Sequence, residues 1–280
     1  MSIFRSTDCP PHLSIIEWIK SQTDWGQHTS KIAPRFEPQL SIPHLHIDHR
    51  SIYDELQALL QIYPQTQWRS QLTGALSGLS LSYNPQAPRE EWHCGSFGHP
   101  RYRQYKHADY FKAPEQDRTN AVHGDYLDSL SFRCLLPEID ILPQLAALLN
   151  SFRMPVVRCT VRCIDGTKAW PSLPDGAGMH QDDPPREVLR INICITGSED
   201  FGLQYAGHAP IITRPGDNLI VNTDYDHRVW VRQRSLVKRL HLIIGLVPWL
   251  DYDPTTDTWM ISEHFGIHPY ELVRQGTLLK

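Results

Sequence analysis

A histidine and an aspartate two residues apart can bind one metal ion together, and this chain contains that pattern four times. The pairs are His46/Asp48, His107/Asp109, His123/Asp125 and His180/Asp182. The chain has 15 histidines among 280 residues, so about one such pair is expected by chance. The spacing alone does not identify a metal site, and the surrounding sequence has to decide between the pairs.

Only the pair His180/Asp182 is followed by a series of predicted strands. The next segment, "EVLRINICI", alternates aliphatic residues with Arg190, Asn192 and Cys194, as a β-strand with one buried face does. The two earliest pairs open no strand series, and His123/Asp125 precedes a predicted helix. We therefore expect a metal at His180/Asp182, and structural or solvated roles for the other three pairs.

Two side chains hold an iron or zinc ion poorly, so a third ligand has to come from a distant strand. The candidates downstream are His208, His227 and His241. His227 follows a turn and begins a predicted strand 47 residues after His180, which fits a strand that returns beside the first. The sequence thus predicts His180, Asp182 and His227 as the metal ligands and catalytic centre.

Two histidines and one carboxylate occupy one face of an octahedral Fe(II) and leave three positions for a bidentate 2-oxoacid and dioxygen. The far carboxylate of such an acid needs a cation inside the protein, and arginine binds carboxylates through two hydrogen bonds. Arg239, twelve residues after His227, lies among aliphatic residues, where an arginine is costly to bury without an anion. Arg190 has similar neighbours and remains the alternative partner.

The elements that must position these residues divide the chain into three parts. Residues 1–150 are expected to form helices and loops, with helices at Leu13–Lys20, Ser51–Ile62 and Pro137–Asn150. Residues 155–250 contain about seven short predicted strands with no helix between them, which indicates an antiparallel β core. Residues 251–280 are a C-terminal extension of what we expect to be a single domain.

The composition narrows the class of protein. Hydrophobic residues make up 40% of the chain and charged residues 21%, which is typical of a soluble globular protein. The net charge of −4 argues against nucleic acid or a membrane surface as a partner. No apolar segment is long enough to span a bilayer and residues 1–20 lack the features of a signal peptide, so we expect a cytoplasmic protein. The six cysteines contain no C-x-x-C and are expected to be structural.

The order of these motifs resembles a known family. The segments "HQDD", "LRINICI", "PGDNLIVNTDYDHRVWV" and "KRLHLIIGLVPW" are similar to the core of the Fe(II)/2-oxoglutarate dioxygenases. The similarity is greatest to the aspartyl/asparaginyl β-hydroxylase-like branch, which includes hydroxylases of free proline, and covers about residues 120–250. It implies a double-stranded β-helix core of the jelly-roll or cupin type, with the N-terminal helices packed around it.

The resemblance also implies a role for individual residues. His180, Asp182 and His227 would bind Fe(II), Arg239 would bind the distal carboxylate of 2-oxoglutarate, and Arg190 and Asn192 would line the same pocket. Dioxygen would be the second co-substrate. The gap from His227 to Arg239 is two residues longer than is usual in the family, so Arg190 stays open as the main carboxylate partner.

The substrate is defined less well. Arg158 and Arg162 lie on one face of a predicted strand, and Arg133 lies in "SFR". They are candidates for binding a substrate carboxylate, while Tyr126 and Trp170 are candidates for an aromatic wall of the substrate pocket. Solvated arginines and aromatic residues that pack in the core are the alternative interpretations.

Three functions fit these residues. The first is hydroxylation of an unactivated carbon in a small molecule, an amino acid or a peptide-type natural product. The second is hydroxylation of a residue in a protein, and the third is a cupin-like metal-binding protein without oxygenase activity. A pair of arginines in aliphatic strands favours an oxygenase, because a cupin needs no partner for a distal carboxylate. The sequence does not indicate an oligomeric state.

Overall fold

The structure is a computed structural model and describes residues 2–10, 13–63, 65–67, 76–93, 128–168, 178–232 and 235–280. The strands in these ranges are β1 (Ile3–Arg5), β2 (Thr66–Gln67), β3 (Leu76–Ser80), β4 (Ser82–Tyr83), β5 (Cys134–Leu135), β6 (Val156–Asp165), β7 (Leu189–Thr196), β8 (Phe201–Tyr205), β9 (Ile211–Ile212), β10 (Asn218–Val221), β11 (His227–Val231), β12 (Lys238–Leu246), β13 (Leu250–Asp253) and β14 (Thr258–Ile261). The α-helices are α1 (Ile15–Ser21), α2 (Trp25–Lys31), α3 (His49–Ile62), α4 (Pro143–Asn150) and α5 (Pro269–Arg274).

Two antiparallel sheets form the core. The main sheet has six strands in the order β10-β7-β12-β6-β3-β2, and the second sheet has three in the order β11-β8-β9. Leu76 and Ile164 of the main sheet pack against Phe201 and Val231 of the second, so the two sheets face each other. The predicted mainly β fold with a double-stranded β-helix core is confirmed.

The alternation predicted for the main strands decides which residues enter the space between the sheets. On β7, Leu189, Ile191, Ile193 and Ile195 are fully buried in one apolar cluster, which also contains Ile52, Leu56 and Leu59 of α3. Helix α3 therefore covers the outer face of the main sheet. Residues of the opposite parity, Arg190, Asn192 and Cys194, point to the inner side of the sheet.

The predicted helices occur with changed boundaries. Leu13–Lys20 begins two residues later, and Ser51–Ile62 begins at His49. Pro137–Asn150 is split into a 3₁₀ turn, Pro137–Ile141, and the helix α4. The split follows from Pro143, because a proline disfavours helical geometry at the residue before it, and Leu142 has φ −112° and ψ 88°.

A third sheet, of order β1-β14-β13, lies beside the core, with an aromatic cluster that includes Trp25, Trp249 and Trp259. The C-terminal residues return to the earlier part of the chain, since the backbone of Phe152 pairs with that of Leu279. Among the described residues, no helix is both long and apolar enough to cross a membrane.

Candidate metal and co-substrate site

The structure brings together the three side chains predicted as metal ligands. The backbones of His180 and His227 exchange two hydrogen bonds, each of 3.0 Å, which fixes the two residues side by side. The backbone N–H of Asp182 donates to the carbonyl oxygen of Thr223 at 3.4 Å, which directs its side chain toward the same point. One ligand atom from each of the three residues lies within 4.8 Å of the other two.

Hydrogen bonds at the imidazole rings leave the other ring nitrogen of each histidine available to a metal. Nδ1 of His180 is 2.8 Å from the carbonyl oxygen of Gly178, and Nδ1 of His227 is 2.9 Å from that of Tyr225. A carbonyl oxygen only accepts, so both Nδ1 atoms carry the proton and donate it. The lone pair is then on Nε2, and both Nε2 atoms face Oδ2 of Asp182, at 3.9 and 3.6 Å.

The charge of Asp182 is also suited to metal binding. Burial acts to raise the pKa of this carboxyl, but the positive charge of Arg190 outweighs it and holds the pKa well below its usual range. The carboxylate is therefore ionised at neutral pH, the form in which it ligates a metal.

Of the remaining histidine–aspartate pairs, the structure describes only His46/Asp48, and it is not part of this group. Asp48 caps helix α3, where its carboxylate accepts from the backbone N–H and the hydroxyl of Ser51 at 3.2 and 2.8 Å. The pairs His107/Asp109 and His123/Asp125 lie outside the described residues. Of the alternative third ligands, His208 packs its ring on Phe36, and His241 is buried deeper in the main sheet.

The inner face of the main sheet carries a series of side chains that begins beside the ligands and continues along β7 and β12. The pairs across β7 and β12 are Arg190–Gly245, Asn192–Ile243 and Cys194–His241. Arg239 follows on β12, opposite Ile164 of β6. We call Asn192, His241 and Arg239 the floor of the site; they are 5%, 1% and 1% exposed.

The floor contains hydrogen-bonding groups that the described residues do not satisfy. Arg239 donates from Nη2 to the hydroxyl of Thr213 at 3.2 Å, but its Nε and Nη1 have no acceptor in the described part of the chain. Neither Oδ1 of Asn192 nor Nδ1 of His241 has a hydrogen-bond partner there. Orphan groups of this kind are rare in protein interiors and indicate a missing partner.

The charge of Arg239 is also unbalanced by its immediate neighbours. Burial raises the pKa of the Cys194 thiol, so this neighbour is neutral. Burial, with repulsion from Arg239 and Arg162, holds the pKa of His241 well below its usual range, so this neighbour is neutral too. The floor therefore offers a buried guanidinium with two unused donors, which is the arrangement that an anion would complete.

The other predicted arginine of the pocket, Arg190, is used differently. Its Nη1 donates to Oδ2 of Asp182 and its Nη2 to Oδ2 of Asp183, both at 2.8 Å. Asp183 also accepts from the hydroxyl of Ser129 at 2.6 Å and lies 3.7 Å from Nη1 of Arg158. We call Asp182, Asp183, Arg190 and Arg158 the rim. Arg190 thus contacts the carboxylate of a predicted metal ligand, a role that sequence reasoning had not given it.

The substrate candidates lie in four different places, and Arg158 is the one that belongs to the rim. Arg162, half-buried on the inner face of β6, has a pKa lowered to about 9 by burial and by the nearby Arg158 and Arg190. Arg133 instead forms a two-pronged ion pair with Asp257, at 2.6 and 2.7 Å, beside the third sheet. An ion pair of this kind is typical of a structural use of the guanidinium, and the substrate role of Arg133 stays a prediction. Tyr126 and Trp170 lie outside the described residues.

Sequence reasoning missed several residues of the site. Asp183 directly follows a predicted ligand, and the doubled aspartate was a visible signal. Thr213, at the end of the predicted strand "APIIT", and Ser129 gave none, because their roles depend on contacts with Arg239 and Asp183, 26 and 54 residues away.

Comparisons with known proteins give a limited picture. No protein-family model and no curated protein matches the chain. Among solved structures, the "non-heme alpha ketoglutarate dependent epimerase SnoN from nogalamycin biosynthesis" is 12% identical, with a TM-score of 0.40 over 80% of this chain and 78% of that one. The "carbocyclase SnoK" of the same biosynthesis is 12% identical, with a TM-score of 0.36 over 85% and 86%. A prolyl hydroxylase from Trichoplax adhaerens is 10% identical, with a TM-score of 0.32 over 71% and 77%. At such low identities and TM-scores, these similarities carry no argument about activity.

Proposed function

We propose that the chain is an Fe(II)- and 2-oxoglutarate-dependent oxygenase that hydroxylates an unactivated carbon of a small molecule, an amino acid or a peptide-type natural product. The observation that carries the proposal is the guanidinium of Arg239. It is 1% exposed and has two unused donors on the same inner face that leads to the His180, Asp182 and His227 group.

The residues present fit both the metal and the co-substrate. Two imidazoles whose Nε2 atoms are available and one ionised carboxylate are the donor set that non-haem Fe(II) oxygenases use, and they leave coordination positions open. The unused Nε and Nη1 of Arg239 fit the two oxygens of a carboxylate. Asn192 lies on the same inner face, and its Oδ1 has no hydrogen-bond partner among the described residues, so we propose it as a second contact of the co-substrate.

The chain's own side chains have separable tasks in this proposal. When bound, iron and 2-oxoglutarate supply the activation of dioxygen and the removal of hydrogen from carbon. His180 and His227 orient their Nε2 atoms through the Nδ1 hydrogen bonds to backbone carbonyls. Arg239 and Asn192 fix the co-substrate at the floor. Next to Arg239, which lies opposite Ile164, the side chains of Leu76, Ile164, Phe201 and Val231 form an apolar cluster.

Arg162 is the side chain that we propose for substrate recognition. It is half-buried on β6, opposite His241 of β12 and Gly78 of β3. Its neighbours Arg158 and Arg190 add positive charge, and a substrate that carries a carboxylate would relieve this repulsion. Every free amino acid or short peptide carries an α-carboxylate, whereas a residue inside a protein chain has lost it to the peptide bond, which favours the small-molecule substrate.

The experiment that tests the function is a screen of amino acids and small peptides with the Fe(II)-loaded protein, scored by succinate released from 2-oxoglutarate. We expect one or more compounds to raise succinate release above the substrate-free rate in the native protein and not in Asp182→Ala. Asp48→Ala, which removes the aspartate of another histidine–aspartate pair, is the matched control and should retain the activity. Absence of iron-dependent succinate release would refute the oxygenase, and release only with protein substrates would refute the small-molecule reading.

A further inference from the structure

Strand β6 is irregular at the position of Arg158. In the pairing of β6 with β12, Thr160 lies opposite Ile243 and Val157 lies opposite Gly245, so Arg158 and Cys159 together face the single residue Ile244. This is a β-bulge, and bulges redirect side chains next to functional sites. Arg158 has φ 46°, in the left-handed region that glycine adopts freely and a long side chain does not.

The strained backbone places the Arg158 guanidinium at the rim. Its Nη1 donates to the hydroxyl of Ser129 at 3.2 Å and lies 3.7 Å from Oδ2 of Asp183. The backbone of Arg158 keeps a conformation that is unfavourable for a residue with a side chain. Such strain is kept where the surrounding structure enforces it, and it indicates that the contacts of the guanidinium have a function.

Asp183 connects this guanidinium to the metal ligand. Its Oδ2 accepts from Ser129 at 2.6 Å and from Nη2 of Arg190 at 2.8 Å. Its backbone carbonyl accepts from the hydroxyl of Thr223 at 2.5 Å. The position of Asp183 is thereby fixed from three separate segments of the chain.

Arg190 connects Asp183 to the ligand Asp182. With Nη2 held by Asp183, the planar guanidinium has a defined orientation, and Nη1 donates to Oδ2 of Asp182 at 2.8 Å. That oxygen is the one that faces Nε2 of both His180 and His227. The guanidinium therefore selects one rotamer of the ligand carboxylate.

We propose that Asp183 and Arg158 are positioning residues of the metal site, which act through Arg190 to hold the Asp182 carboxylate toward the two histidines. The proposal rests on the proposed function in that it takes His180, Asp182 and His227 as the metal ligands. It goes further in assigning a task to the bulge of β6 and to the aspartate after the ligand. The simpler alternative is that these contacts only stabilise the fold.

Cobalt binding separates the two explanations without any turnover. Co(II) is titrated into the metal-free protein in the absence of 2-oxoglutarate, and its visible d–d spectrum is recorded together with the thermal unfolding of the metal-free protein. We expect Asp183→Asn to weaken Co(II) binding by about 10- to 100-fold and to alter the spectrum, as loss of a partner that orients a ligand does.

The matched control is Asp224→Asn. Asp224 pairs with Arg186 at 3.4 Å, close in sequence to the same two ligand segments, and among the described residues no hydrogen bond or ion pair joins its side chain to a ligand. We expect this variant to keep the Co(II) affinity and the spectrum of the native protein, whatever it does to the unfolding temperature.

Arg158→Gly keeps the test decisive if Asp183→Asn does not fold. Glycine relaxes the left-handed backbone, so the metal-free variant should remain folded, yet Co(II) binding should weaken and the spectrum should change. Unchanged affinity and spectrum in either folded variant, with only the unfolding temperature altered, would overturn the positioning role. A native protein that binds Co(II) but never releases succinate would refute the oxygenase and leave the positioning role intact, whereas failure to bind Co(II) at all would overturn both.

Discussion

The floor and the rim of the site each contain a buried arginine, and the two arginines differ in their hydrogen-bond partners. Arg239 and Arg190 lie on neighbouring strands and on the same inner face of the main sheet, and both were candidates for the distal carboxylate of 2-oxoglutarate. At the rim, both Nη groups of Arg190 are bonded to carboxylates of the chain. At the floor, Arg239 has one hydroxyl partner and no carboxylate partner among the described residues.

The difference shows which arginine has hydrogen-bond donors available for a ligand. Burying a guanidinium costs free energy unless an anion compensates it, and Arg190 receives that compensation within the chain. Arg239 does not, so the cost is left for a bound anion to offset. Residues that break the usual rule for buried charge are expected at functional sites, and this contrast favours Arg239 as the partner of 2-oxoglutarate.

The largest expected effect is the loss of a metal ligand. His180→Ala, Asp182→Ala and His227→Ala should each abolish iron-dependent turnover while the protein stays folded, because a metal held by three side chains loses most of its affinity with any one of them. Bound iron per chain and circular dichroism check the two parts of this prediction. His208→Ala is the control, and an inactive His208→Ala beside an active His227→Ala would show that the third ligand is wrong.

The next effect tests the contrast between the two arginines directly. Arg239→Ala removes one partner of a buried charge-assisted pair, which typically costs about 2–5 kcal/mol, or roughly thirty- to several thousand-fold in affinity. Calorimetric titration of 2-oxoglutarate into the Mn(II)-loaded variant should show this loss, with Mn(II) binding little changed. Arg239→Lys should recover only part of the affinity, because an ammonium cannot make the two-pronged contact.

Arg190→Ala is the counterpart in the same titration. We expect it to weaken Mn(II) binding more than it weakens 2-oxoglutarate binding to the metal-loaded protein, because Arg190 contacts Asp182. Normal 2-oxoglutarate binding by Arg239→Ala together with its loss in Arg190→Ala would reverse the assignment of floor and rim.

The smallest effect concerns the backbone strain at the rim. A residue with a side chain in the left-handed region is less stable than glycine there by about 1 kcal/mol. Arg158→Gly should therefore have a free energy of unfolding about 1 kcal/mol above that of Arg158→Ala, as urea denaturation of the metal-free proteins measures. Equal values for the two variants would mean that the bulge stores no strain.

The sequence predicted most of the site because its signals are local. Period-two alternation placed Arg190 and Asn192 on the inner face of their strand, and burial among aliphatic residues marked Arg239. The rest depends on how distant segments meet. The bulge at Arg158 comes from the register between β6 and β12, and the ion pair of Arg133 comes from Asp257, 124 residues away. Neither register nor long-range pairing has a signature in a single sequence.

We propose that one metal and one 2-oxoglutarate bind beside each other, the metal at His180, Asp182 and His227 and the 2-oxoglutarate at the floor. The most direct test adds 2-oxoglutarate to the Fe(II)-loaded protein without oxygen and follows the metal-to-ligand charge-transfer band in the visible spectrum. We expect a band that saturates at one 2-oxoglutarate per iron and that requires a far higher concentration in Arg239→Ala. Iron-loaded native protein that shows no such band at any 2-oxoglutarate concentration would rule out binding of 2-oxoglutarate to the metal.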